Sequence, residues 1–236
     1  MRLASAIFFA LFCAAPAIAQ RHAKAETGSL VPIPAPVRVS ENPKLSDDVR
    51  ARIATAEFAR CSVARFPDRV ERALSLPKGG LAYWKALERT ASNECMDSGI
   101  IAMRRPLLRG ALFVELYRRR WDAQQRGQTW GPSLTKVSFN IDPLTHPSED
   151  AMRDNELLSL GNCVIAKDEA SARNAILLPT ASKGQEAALM SLVPSLGGCI
   201  PAGMKLTFSR PVIEAAIAEV LYRGAETPTV QTAGIK

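Results

Sequence analysis

Aromatic residues make up only 6% of the 236-residue chain, and histidine occurs just twice. With so few rings, and none interleaved with basic runs, there is no platform for stacking single-stranded bases. His22 and His146 both stand among loop-forming neighbours, where no packed scaffold orients a Ser-His-acid or Cys-His site. G-x-S-x-G, H-E-x-x-H, the phosphate-binding P-loop and G-x-G-x-x-G are all missing. No C-x-x-C occurs, which removes the motif for thioredoxin-like redox chemistry and for c-type haem attachment. No catalytic, cofactor-binding or metal-ligating residue is therefore assigned. A composition of 47% hydrophobic and 22% charged residues is that of a globular chain with a real core, not of a disordered or fibrous one.

Residues 1–19 read as a signal peptide. Arg2 gives a short positive start, residues 4–15 an apolar stretch, and Ala17-Ile18-Ala19 a small-x-small cleavage site before Gln20. The run is too short and wrongly flanked for a stop-transfer helix, so no transmembrane segment is expected after cleavage. Lipidation at Cys13 is the rival reading, but Phe12 stands where a small residue is needed. The mature chain carries 29 basic and 23 acidic side chains and is expected in the periplasm or secreted.

Cleavage leaves four cysteines: Cys61, Cys95, Cys163 and Cys199. An even count in an exported chain reads as two disulfides. A four-cysteine zinc site would bring ligands in close pairs, whereas here the nearest lie 34 and 36 positions apart.

An internal repeat organises the rest. Cys61-Ser62-Val63-Ala64-Arg65 lies over Cys163-Val164-Ile165-Ala166-Lys167 at an offset of 102, as Leu76-Pro77 lies over Leu178-Pro179. Cys95 meets Cys199 at 104, and Arg105-Pro106-Leu107-Leu108 meets Arg210-Pro211-Val212-Ile213 at 105. Leu116-Tyr117-Arg118 meets Leu221-Tyr222-Arg223 at the same offset. Order and spacing together indicate a duplicated unit. Four cysteines allow three connectivities. A unit that folded before it was duplicated would hold its bond internally, which favours Cys61–Cys95 and Cys163–Cys199.

The expected fold is all-α: two tandem pseudo-symmetric repeats of about four helices, each stapled by one disulfide. Repeat 1 spans 46–126 and repeat 2 spans 148–224. Ser46-Asp47-Asp48 caps the first helix, which runs to about Phe66, and Pro67-Asp68 opens the second, ending at Leu76-Pro77. Leu81, Trp84, Leu87, Ala91 and Cys95 predict the buried stripe of a third. Pro106 opens a fourth, running to about Gln125, which is apolar nearly all round and interrupted only by Arg109, Gly110 and Glu115. That helix and its counterpart, Val212 to Tyr222, belong at the centre of the fold. Pro194 should shorten the third helix of repeat 2. Outside the repeats lie a Pro-rich mobile arm (20–45), a linker (127–147) with a strand-like stretch from Lys136 to Ile141, and a loose tail (225–236).

Charge divides unevenly. Residues 46–121 carry 15 basic and 9 acidic side chains, residues 148–224 carry 7 and 9. Arg104, Arg105, Arg118, Arg119 and Arg120 are the candidate contacts to an anionic surface, although cations near a helix C-terminus need no such partner. Export argues against nucleic acid. Glu115 and Glu219 are candidate helix-borne acids for glycan cleavage, or simple helical ion pairs with Arg118 and Arg223.

The pattern C-(V/S)-(V/I)-A-(R/K) … R-P-(L/V)-(L/I)-x-(G/A)-A-(L/I)-x3-L-Y-R resembles that of uncharacterised exported bacterial proteins with the same duplicated helical unit. The resemblance covers Cys61 to Arg118 and Cys163 to Arg223 and implies no activity. Gly110 becomes Ala215 in the second unit, and the Glu moves from three to four positions before Arg, so a site there need not be duplicated.

Three functions fit: a non-catalytic binding or structural protein of the cell envelope, partnered by an envelope protein or an anionic surface; an envelope hydrolase acting on glycan or peptide; and a carrier of a small apolar ligand between the repeats. Intact-mass analysis of exported protein should give a chain beginning at Gln20; a lipid-modified Cys13 at the N-terminus would contradict this.

Overall fold

Ser46 and Ser148 begin the same local structure 102 positions apart. Each hydroxyl accepts the N–H three residues on, from Val49 or Ala151, and two acidic residues follow in the positive first turn. The computed structural model describes residues 37, 42–76, 78, 80–96, 105–131, 133–139, 148–203 and 209–225. The signal peptide, the tail beyond 225, Arg104, His22 and His146 lie outside them.

The helices are α1 (Asp47–Arg65), α2 (Pro67–Ser75), α3 (Leu81–Arg89), α4 (Arg105–Gln125), α5 (Glu149–Lys167), α6 (Glu169–Leu177), α7 (Lys183–Ser191), α8 (Val193–Gly197) and α9 (Arg210–Arg223), with a 3-10 turn at Asn93–Cys95. Among the described residues there is no strand, only two isolated parallel bridges, Val37 with Met96 and Val137 with Ala225. No described helix is long and apolar enough to cross a membrane. Lengths recur: 19 residues in α1 and α5, and nine in each of α2, α3, α6 and α7.

The most extensive packing is between α4 and α9, with α1 against α4 and α5 against α9. One apolar core runs through both halves, from Phe58, Val63, Leu112 and Phe113 to Val164, Ile176, Ile217 and Tyr222. At the α4–α9 crossing a Cβ on Gly110 would lie 2.3 Å from the Cβ of Ala215. Carbon atoms in contact sit about 3.5–4 Å apart, so this approach requires glycine.

Two disulfides join Cys61 to Cys95 and Cys163 to Cys199, with Cα separations of 5.6 and 5.9 Å. The first ties α1 to the 3-10 turn after α3, and the second ties α5 to the turn after α8. In the chain-entropy account, loops of this size restrict the unfolded chain by roughly 3–4 kcal/mol.

Three expectations need correction. The third helix stops at Arg89, so Ala91 and Cys95 are not on it, and Leu81 is 70% exposed instead of buried. Thr90 ends it, donating its hydroxyl and N–H to the Leu87 carbonyl, and Ser92 then caps the 3-10 turn that buries Cys95. The arm is not free at Val37, which is buried and donates its N–H to the Cys95 carbonyl. The strand-like stretch finds no partner strand. Val137 is buried and donates to Gly224 O, while Arg223 donates to the carbonyls of Thr135 and Lys136; residues 140 and 141 lie outside the described ones. In the second half α7 stops at Ser191, and Pro194 sits in the first turn of α8.

Gly110→Ala should destabilise the chain by about 1–3 kcal/mol, the usual range for overpacking, read as a lower midpoint in denaturant unfolding. The swap Gly110→Ala with Ala215→Gly should recover most of the loss, because it moves the single methyl group to the other helix.

Candidate functional site

The buried charged side chains, Arg109, Glu115, Glu214 and Glu219, fall into two groups that both border the α4–α9 crossing. The first is filled. Arg109 of α4 donates through Nε (3.1 Å) and Nη2 to the two carboxylate oxygens of Glu219 on α9, and through Nη1 to Tyr83 Oη at 2.6 Å. Arg223, one turn along α9, donates to Glu219 Oε1 at 2.6 Å, and Lys78 Nζ lies 3.6 Å from the same oxygen and 3.9 Å from Asp154. Burial alone would raise the Glu219 pKa, but the charges of Arg109 and Lys78, the Arg109 hydrogen bonds and Arg223 outweigh it and hold the carboxyl down at about 2. Burial lowers the Lys78 pKa, and Arg109 adds to the effect. A carboxyl ionised so firmly at neutral pH is a fixed anion, not a proton donor.

The second group borders a groove of about 600 Å³ between α1, α4 and the start of α9; the groove's polar lining includes Arg52, Glu115, Arg118, Thr180 and Glu214. The centre of the group is Gln185, which is fully buried and outside that lining. Gln185 Nε2 donates to Glu214 Oε1 (2.7 Å) and to the Ala175 carbonyl (3.3 Å), while its Oε1 accepts from Arg52 Nη2 (2.9 Å) and Ala181 N (2.7 Å). Ala181 carries the left-handed φ of 60° that this last bond holds in place. Arg52 Nη2 also reaches Glu214 Oε2 at 3.3 Å. Arg118 donates to the carbonyls of Ile176 (2.7 Å) and Leu178 (2.6 Å) and to Thr180 Oγ1, closing the C-terminal end of α6. Glu115 accepts from Arg119 Nε at 3.0 Å; burial raises its pKa against the pull of Arg119, Arg118 and Arg60.

The two groups occupy positions 102 or 105 apart. Arg52, Gln185 and Glu214 of the groove stand where Asp154, Tyr83 and Arg109 stand in the filled group. Bulk separates them. The filled side keeps only about 70 Å³, and its lining includes Trp84, Leu157 and Leu158. At the matching positions of the open side stand Glu186, Thr55 and Ala56. Substituting two leucines by threonine and alanine opens the space.

Of the sequence-derived candidates, Arg105 donates to Glu88, Arg118 and Arg119 are bound as above, and Arg120 donates to the Tyr222 carbonyl (2.6 Å) with its guanidinium 3.7 Å from the centre of the Tyr222 ring. The described arginines of that set therefore all engage acceptors of their own chain. Glu115 pairs with Arg119, not Arg118, because Arg118 is drawn to the end of α6; Glu219 does pair with Arg223. Sequence reasoning missed Arg52, Lys78, Tyr83, Gln185 and Glu214. Two signals pointed to them. A charge inside a helix that is apolar all round must be buried and paired, and Arg109/Glu214 and Arg52/Asp154 reverse charge at matching positions. No family model matches the chain, and neither a curated protein nor a solved structure matches it.

Because Glu219 titrates lower in the folded chain than its usual 4.5, its contribution is complete above that value and disappears as pH falls through about 2. The stability difference between the native chain and Glu219→Gln should therefore be about 3 kcal/mol at pH 6 and shrink steadily toward pH 2, measured by denaturant unfolding across that range.

Proposed function

We propose that this is an exported, non-catalytic binding protein of the cell envelope that takes a small molecule in the groove between α1, α4 and α9. The observation that carries this reading is the difference between the two halves: about 600 Å³ of space on one side against about 70 Å³ on the other. Ligand pockets commonly measure about 300–1,000 Å³ and combine apolar walls with a few polar groups. Val49, Leu107, Ala111, Val114, Pro211 and Ala215 supply such walls here.

Export to the periplasm or the exterior is supported by the leader-like residues 1–19 and by two disulfides in the mature chain. Duplication of one helical unit, as in the exported bacterial proteins that the sequence pattern resembles, is supported by the recurrence of helix lengths and of the disulfide. The contact of Gly110 with the residue 105 positions on also supports it, since a position facing its own counterpart is what a twofold arrangement produces. Binding is favoured over hydrolysis because the two buried groove carboxylates are engaged, Glu214 by Arg52 and Gln185 and Glu115 by Arg119, while the third, Asp48, is exposed at a helix start. The raised Glu115 pKa is the one observation on the hydrolase side.

The neutral fluorescent probe N-phenyl-1-naphthylamine should bind the mature chain and brighten. Thr55→Leu with Ala56→Leu, which installs the residues of the filled side, should abolish this while the helical circular dichroism is retained. Undiminished binding by that variant would overturn the reading.

A further inference from the structure

The hydrogen-bond donors lining the groove bear on what kind of molecule it takes. Arg118, Arg119 and Arg60 act on the Glu115 carboxyl, and Arg52 and Arg118 act on Glu214. Arg60 has Glu57 at 3.9 Å as well. Of these groups Arg52, Arg118, Glu115 and Glu214 line the groove, two charges of each sign. Asp48 and Arg210 also line the groove but are exposed, with Arg210 paired to Glu186, so solvent screens them.

Donors are left over on the two arginines. Arg52 engages acceptors only through Nη2, and its Nε is buried with no partner among the described residues. Arg118 uses Nε and Nη2, and no described acceptor meets its Nη1. Both arginines line the groove, and the Arg52 side chain is only 11% exposed. A guanidinium presents five donors, so these two are under-supplied with acceptors. Away from them the walls are apolar, and α1 flanks the groove from Ser46 to Ala56, about 15 Å at the helical rise.

Building on the groove reading above, we propose that the ligand is an amphipathic anion: an apolar body lying along α4 and α9, with a carboxylate received by Arg52 and Arg118. A cationic head would meet the two guanidiniums with donors to spare, while the buried carboxylates beside them, Glu115 and Glu214, are already engaged. A neutral one would leave the spare donors unmet.

Three probes of one chain length separate the possibilities on the full mature chain: decanoate, decanol and decylammonium, each displacing N-phenyl-1-naphthylamine at about 0.15 M salt, where exposed charges are largely screened. Decanoate should bind at least about tenfold more tightly than decanol, the factor expected of one charge-assisted hydrogen bond, and decylammonium most weakly. Arg52→Met should remove most of the preference for decanoate over decanol, and Arg52→Lys should keep part of it. Thr55→Leu with Ala56→Leu should remove all binding. If decanol or decylammonium equals decanoate, and the leucine variant still abolishes binding, the anion inference fails and the groove reading stands. If none of the three binds, or the leucine variant binds as well as the native chain, both fail. The comparison of the three probes on the native chain decides the question even if Arg52→Met does not fold.

Discussion

Two helices can bring their backbones together only where a side chain is missing, and α4 and α9 do so at Gly110 and Ala215. That approach fixes the rest. It places Leu107, Gly110 and Ala215 on the borders of both the groove and the filled group. It also leaves α1 and α5 as outer layers, each packed on its own half's central helix. Separated by the width of a leucine, the central helices could not bring Arg109 within bonding reach of Glu219. Neither could α9 carry Glu214 to Gln185 and Arg52, which also bond to each other.

Apolar packing holds the helices together but does not determine their register, because dispersion contacts lack direction. Several directional bonds in this core run between elements of different halves: Arg109 to Glu219, Arg52 to Glu214 and Gln185, Arg118 to the end of α6, Arg120 to Tyr222. Burying such groups costs several kcal/mol per ion, and their mutual attraction offsets that only when every partner is in place. They therefore penalise a slipped or rotated pairing of the halves more than they strengthen the correct one. Within each half the disulfide performs the complementary task, joining α1 to the 3-10 turn after α3 and α5 to the turn after α8.

The helices were legible in the sequence because their ends carry local chemistry: Ser46 and Ser148 as caps, proline at the starts of α2, α4 and α9, Gly224 after the last turn. The third helix was misjudged because Ala91 and Cys95 continue an apolar period that the backbone does not follow. Thr90 and Ser92 offer the chain nearer hydrogen bonds than another turn would. The central pairing was legible from helices apolar all round. The groove was not. The charged side chains of its buried lining come from α1, α4 and α9, tied together by Gln185 of α7, and their meeting depends on the crossing at Gly110, which in sequence is only one glycine in a helix.

What distinguishes the halves is concentrated where they face the crossing. Cysteines, capping serines and the Leu-Tyr-Arg ending keep their identity at matching positions, whereas Arg109 against Glu214, Arg52 against Asp154 and Trp84 against Glu186 exchange charge or size. The filled side unites Arg109, Glu219, Tyr83 and Lys78 into a cluster shielded by Trp84, Leu157 and Leu158. On the open side Arg52 and Gln185 tie Glu214 to α1 and α7, so the walls are braced even though the space between them is empty of side chains. A groove held open by buried ion pairs does not collapse as an unsupported apolar gap would. Its shape is present before any ligand arrives, so binding need not spend energy on creating the site.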